Sequence, residues 1–184
     1  MEGGSRKRGP ITLSPPSAWQ IELADALIDG GVTVVALVPD SRLDGIVARL
    51  TERDLPVRVL PREEECIAFA AGHRLAGTRP AVLMQCSGLG NAVNALGSLV
   101  IPYGLGIPMM LSMRGTLGEG NPAQVPMGRA TRPILDALGI QSFALRDRCE
   151  VNRTVSGVLA LAYEGQAGAA ILLEPELGGG RERG

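Results

Sequence analysis

The chain has 184 residues, 45% of them hydrophobic and 20% charged, with a net charge of −1. That is enough for one domain with a buried core, and it supplies no electrostatic reason to expect nucleic acid or a membrane surface as partner. Cys66, Cys86 and Cys149 are widely spaced, with no disulfide framework and no CxxC motif, and the lone His73 rules out multi-histidine zinc sites and leaves a hydrolase triad only one candidate base.

Residues 1–14 read as a disordered Gly/Ser/Pro tail whose basic run, Arg6-Lys7-Arg8, is solvated. No apolar leader and no run of roughly 18 apolar residues occurs, so neither a signal peptide nor a membrane span is expected, and a cytoplasmic setting is. Ser17 to Gln20 has the form of a capping box before an amphipathic segment with Trp19, Leu23, Leu27 and Ile28. Gly30-Gly31 ends it. Residues 32–38 form a continuous apolar, β-branched run, as a strand buried on both faces would. After the Pro39-Asp40-Ser41 turn comes a helix with Leu43, Ile46, Val47 and Leu50.

The alternation goes on, with strands predicted at 57–60, 81–84, 109–113, 143–145 and 169–173. Helices are predicted at 63–75, 91–100, near 134–138 and at 151–163. A long polar loop is expected over 114–126, with its glycine-rich part, 115–120, as a mobile cover, and a frayed tail from 177. Repeated β-then-α units predict an α/β fold, a doubly wound, mostly parallel sheet with helices on both faces, over residues 15–176.

Ligands in such sheets lie beyond the carboxyl ends of the strands. Four segments fall there: Pro39-Asp40-Ser41, Pro61-Arg62-Glu63, residues 85–91 and residues 114–128. Taken alone, each motif stays open. Glu63, Glu64 and Glu65 suit a helix macrodipole as well as they suit a site. Ser87-Gly88-Leu89-Gly90-Asn91 is not GxGxxG, and no GxxxxGK[ST] occurs. Arg114 is equally an anion receptor or a loop charge. Cys86 reads as a small buried apolar residue, and His73 as a packing or surface residue.

Taken together and in order, PREEECIAFAAGHRLAG, RPAVLMQCSGLGNAVNALGSL, SMRG, NPAQVPMG and ILDALGI resemble the pyrimidine-binding domain of the thiamine-diphosphate-dependent decarboxylases. Val38-Pro39-Asp40-Ser41 matches the start of the same pattern, and the likeness spans residues 17–175. It is greatest to the alpha chains of the sulfopyruvate-decarboxylating branch, with the phosphonopyruvate decarboxylases as near relatives.

The resemblance implies that Glu63, nine residues before Gly72, is the catalytic carboxyl that hydrogen-bonds N1′ of the cofactor's aminopyrimidine and promotes proton removal from thiazolium C2. A dry subunit contact suits a carboxyl to that exchange. Ser87, Gly88, Leu89, Gly90 and Asn91 match the turn beside the cofactor, and Asp40, Ser41, Arg114 and Gln124 are candidates to meet an anionic 2-oxo acid. Gln124 stands where phosphonopyruvate relatives carry His, which favours sulfopyruvate; Cys86 stands where the nearest relatives carry Asn. The GDG motif and later Asn that hold the diphosphate and Mg²⁺ in this family are absent. The implied partner is therefore a beta subunit carrying them, in a hetero-oligomer, with no metal ligand on this chain. Phosphonopyruvate as substrate, and a non-catalytic regulatory subunit of the same fold, are the alternatives.

Overall fold

The computed structural model describes residues 15–178. Six strands, β1 Val34–Leu37, β2 Val57–Val59, β3 Pro80–Gln85, β4 Pro108–Ser112, β5 Gln141–Leu145 and β6 Ala169–Leu173, make one sheet in the order β2-β1-β3-β4-β6-β5. Every pairing is parallel. The helices between them are α1 Ala18–Asp29, α2 Asp44–Glu52, α3 Glu63–Leu75, α4 Leu89–Ala95, α5 Val125–Ala137 and α6 Val151–Tyr163. None of the described helices is long and apolar enough to cross a membrane. The expectations for residues 1–14 and for the tail beyond Gly178 lie outside the described residues.

The strands are apolar on both sides because each serves two cores. Val35, Leu37, Ala81, Leu83, Met110, Ala169, Ile171 and Leu173 pack against α1, α2 and α6. Their alternating neighbours, Ala36, Val82, Met84, Met109, Leu111, Ala170 and Leu172, pack against the layer that contains α3, α4 and α5. A period of two along each strand thus sorts its side chains between the layers. Leu177, in the turn Pro175–Gly178, is buried in the first of these cores.

At α1, Gln20 Oε1 accepts from the Ser17 backbone N–H (2.8 Å) and hydroxyl (2.9 Å), and its Nε2 donates to Arg42 O (2.9 Å). The helix start is thereby tied to the loop after β1.

Two elements differ from the sequence expectation. The helix expected at 91–100 begins earlier, in a 3₁₀ turn Cys86–Gly88 that runs into α4, and ends in a π-turn Leu96–Val100. Gly88 has ordinary helical angles (φ −70°, ψ −19°), so it does not break the turn. The helix expected near 134–138 runs from Val125. Pro126 sits in its first turn, where its missing N–H has no intrahelical partner to lose. Pro133 forfeits one ladder bond inside α5, but Thr131 and Leu135 are fully buried beside it and hold the helix on the sheet.

Candidate functional site

The chain reverses its direction of travel across the sheet between β1 and β3, and the loops leaving these strands open a crevice between their carboxyl ends. Asp40, buried at the tip of β1, links three strands there. Its Oδ2 accepts from Gln85 Nε2 at the end of β3 (2.7 Å) and from Ser112 Oγ at the end of β4 (2.9 Å), and its Oδ1 accepts from Arg42 N (2.8 Å). Gln85 Oε1 in turn accepts from Ser87 Oγ (2.5 Å). Arg42 spends its guanidinium on two carbonyls, Met113 O (2.9 Å) and Glu174 O (3.0 Å), and so closes the ends of β4 and β6 onto the same loop. Burial pushes the Arg42 guanidinium below its ordinary value, with Asp40 opposing. The Glu174 carboxylate, itself buried, pairs with Arg132 of α5 and more distantly with Arg146 (3.7 Å).

Beside this network, α3 starts at Glu63, where an acidic first turn suits the helix dipole. Glu63 Oε2 accepts from Asn91 Nδ2 (2.9 Å). Its Oε1 lies against Gly88, where a Cβ would come within 2.2 Å of it. The glycine serves the close approach of Glu63 and not the backbone, whose angles would suit any residue; a side chain here would displace the carboxylate from this position. Gly90 performs a similar service for α5: a Cβ there would meet Met127 Cε at 3.1 Å. Of the other two glutamates, Glu64 pairs with Arg62 (2.7 Å) and Glu65 is exposed.

The loop from Arg114 folds on itself. Arg114 makes a bidentate pair with Glu119, Nε to Oε2 and Nη2 to Oε1, both at 2.9 Å. Glu119 also accepts from the backbone N–H groups of Gly115 (3.1 Å) and Asn121 (3.0 Å). The guanidinium, and then these N–H groups, hold the Glu119 carboxyl well below the ordinary carboxylate range, so the pair stays ionised at neutral and mildly acidic pH. Gly115, at φ +76°, turns the chain where a Cβ would strike Gln124 O at 2.6 Å, and a Cβ at Gly128 would lie 2.0 Å from Arg114 O. The two ends of the loop therefore touch. An open cleft of about 640 Å³ lies along it, lined by Ser41, Arg42, Arg114, Glu119, Trp19 and Glu176 among others. Gln124 Oε1 is buried without a hydrogen-bond partner among the described residues.

Of the residues singled out in the sequence, Asp40 and Ser87 meet through Gln85, and Glu63, Gly88 and Asn91 meet directly. Ser41 and Arg114 line the cleft, while Gln124 lies behind the loop's closure. Leu89 is fully buried and presents no polar side chain. Sequence reasoning missed Gln85, Ser112, Arg42 and Glu119. Ser112 could have been found as the one polar residue inside the apolar run 107–113. Glu119 carried a weaker signal, an acid in a glycine-rich loop that already held an arginine.

Cys66 and Cys86 are buried, and Cys149 is exposed. Burial, then the charges of Glu63 and Glu65, push the Cys66 thiol up to about 12; burial also raises Cys86. His73 Nδ1 meets Thr78 Oγ1 (2.9 Å) and its ring packs on Phe69. In the native chain at pH 8, iodoacetamide should label Cys149 and leave Cys66 and Cys86 unmodified, as read by peptide mass spectrometry. Rapid labelling of Cys86 would contradict the burial.

A family model described as the thiamine pyrophosphate enzyme N-terminal TPP binding domain matches residues 22–113. The sulfopyruvate decarboxylase subunit alpha of Methanococcus maripaludis is 37% identical over 150 residues, covering 81% of this chain and 90% of that one. The phosphonopyruvate decarboxylase of Streptomyces viridochromogenes is 38% identical over 118 residues, covering 62% of this chain and 30% of that longer one. Among solved structures, a 2-oxoglutarate:ferredoxin oxidoreductase from Magnetococcus marinus superposes with a TM-score of 0.61 at 13% identity, over 87% of this chain and 29% of that one, a likeness of fold.

Proposed function

This chain belongs to the thiamine pyrophosphate enzymes, among the sulfopyruvate decarboxylase alpha subunits, and from that premise we propose that it is the pyrimidine-binding half of a two-chain enzyme converting sulfopyruvate to sulfoacetaldehyde and CO₂. The observation that carries the reading is Glu63, a carboxylate seated on a glycine at the carboxyl edge of a parallel sheet and oriented by Asn91. The close seat of the Glu63 carboxylate on Gly88, and its single side-chain partner among the described residues, leave it able to take a nitrogen-bearing ring as the third member of the contact. Thiamine diphosphate, when bound, supplies the electron sink for loss of CO₂.

The chain's own residues have separate tasks. Glu63 holds and exchanges the proton at the ring nitrogen N1′. Asn91 fixes the rotamer of Glu63 by donating to Oε2, leaving Oε1 toward Gly88. Asp40, through Gln85, fixes Ser87 and so the turn that carries Gly88. Ser41 and Arg114 line the cleft where a small anionic 2-oxo acid would enter. The diphosphate and Mg²⁺ are assigned to a beta subunit, which the name 'subunit alpha' of the relatives supports.

The direct test is co-expression of this chain with a GDG-bearing partner, followed by an aldehyde-coupled assay with thiamine diphosphate, Mg²⁺ and sulfopyruvate. Aldehyde formation that needs both chains supports the proposal. A stable, cofactor-binding complex that turns over phosphonopyruvate in preference would move the substrate, and no turnover of either acid would overturn the enzymatic reading.

Gly88→Ala tests the seat of Glu63 separately. The new methyl must displace the flexible end of Glu63, so stability should change by under about 1 kcal/mol while kcat of the assembled enzyme drops about tenfold or more. A thermal melt beside the coupled assay reads both; unaltered kcat would mean that this contact does not matter.

A further inference from the structure

Two guanidiniums face the cleft, and they are held in different ways. Arg42 donates to two main-chain carbonyls, Met113 O and Glu174 O, and cannot leave them without unpairing strand ends. Arg114 gives its side-chain hydrogen bonds to one carboxylate, Glu119, which also collects the N–H groups of Gly115 and Asn121. Four donors thus converge on two oxygens, the geometry with which proteins hold an external carboxylate, phosphate or sulfonate.

We propose that Arg114 with the N–H groups of Gly115 and Asn121 is the receptor for the second anionic group of the substrate, and that Glu119 is an internal stand-in which that group displaces. The inference rests on the decarboxylase reading and specifies its substrate class: a 2-oxo acid bearing a second, sulfonate-like anion. Three features support exchange over a permanent brace. The pair borders an open cleft shared with Ser41 and Arg42. Glu119 is carried by a segment with Gly115, Gly118 and Gly120 in which Thr116, Leu117 and Gly118 are exposed, and Leu117 has no packing partner to give up (106% exposed). One anion replaces another of like charge on the same donors, so the swap leaves no buried cation unpaired. A 2-oxo acid without the second anion, its one carboxylate engaged at the reacting centre, has nothing left to make the exchange, and Glu119 thereby becomes a determinant of specificity that acts by exclusion.

The test uses methanesulfonate as probe and the full chain. Trp19 is the only tryptophan of the chain and lines the cleft, so its fluorescence reports occupancy. Glu119→Gln should bind methanesulfonate about tenfold more tightly than the unsubstituted chain, and adding Arg114→Met should abolish the gain. On the unsubstituted chain, saturating methanesulfonate should accelerate glutamyl-endopeptidase cleavage after Glu119, relative to cleavage after the exposed Glu164 at the opposite, amino edge of the sheet. Equal affinity in a Glu119→Gln chain with an unchanged melting temperature would overturn the proposal, as would tight binding that survives Arg114→Met. Should Glu119→Gln fail to fold, the proteolysis decides: a Glu119 cleavage rate that ignores the probe overturns it. None of these readouts requires turnover, so an enzyme inactive on both sulfopyruvate and phosphonopyruvate would sink the decarboxylase reading while leaving this result to stand or fall alone.

Discussion

Glu63→Gln in the assembled two-chain enzyme should cut kcat by roughly 10² to 10⁴, the range over which a positioned acid–base group contributes. The amide keeps the length of the side chain and an oxygen that can still accept from Asn91, so the seat on Gly88 and the fold should survive. What it loses is the exchangeable proton. Glu64→Gln and Glu65→Gln are the matched controls. Glu64 pairs with Arg62 through Oε1, with Oε2 buried and unpartnered among the described residues, and Glu65 faces outward. Neither takes part in the contact of Glu63 with Gly88 and Asn91, so each should leave kcat within about threefold. Initial rates at saturating cofactor and substrate decide the matter. A Glu63→Gln enzyme with full turnover would remove Glu63 from the chemistry altogether.

The largest effect on stability is expected at Asp40. Asp40→Ala strands Gln85 Nε2 and Ser112 Oγ, the latter at a fully buried residue, and frees the N–H of Arg42. Leaving such donors without an acceptor costs about 1–3 kcal/mol each, offset in part by water reaching the strand tips, and a net loss of about 3 kcal/mol follows. For a chain of this size that is a fall in melting temperature of roughly 8 °C. Asp40→Asn keeps one acceptor oxygen but turns an N–H toward donors, and should fall between the two. Urea titration of the three chains measures the order directly, and equal midpoints would show that the network is ornamental.

The layers of this fold were legible because they rest on local patterns. Short continuous apolar runs gave the strands, and Gly30-Gly31, Pro39 and the acidic start of α3 marked their junctions. Boundaries failed where tertiary contact overruled a local signal. Gly88 looked like a turn-former, but it is a helical residue kept small by Glu63. The sequence reading puts Pro126 at the end of a loop and a helix only near 134–138, yet the helix runs through Pro126 and Pro133 because its buried face outweighs one missing hydrogen bond. The site was readable as a set of strand ends and unreadable as a network. Nothing local pairs Asp40 with Ser112, 72 positions away, and only the parallel register that sets Gln85 beside Ser112 does so. Arg114 was visible as a charge, but its occupant was not, since a glutamate five residues on in a glycine-rich loop has no periodic neighbour to betray it.

The short outer strand β2 limits how this molecule can associate. It has three residues, is flanked by Pro56 and Pro61, and exposes Arg58 and Val59. A second chain seeking to lengthen the sheet along that border would find few free main-chain groups and a proline on either side, which is how natural sheets discourage runaway stacking. Growth by strand addition is therefore blunted on the very border that leads into Glu63, and the region stays clear for a partner that approaches across helices.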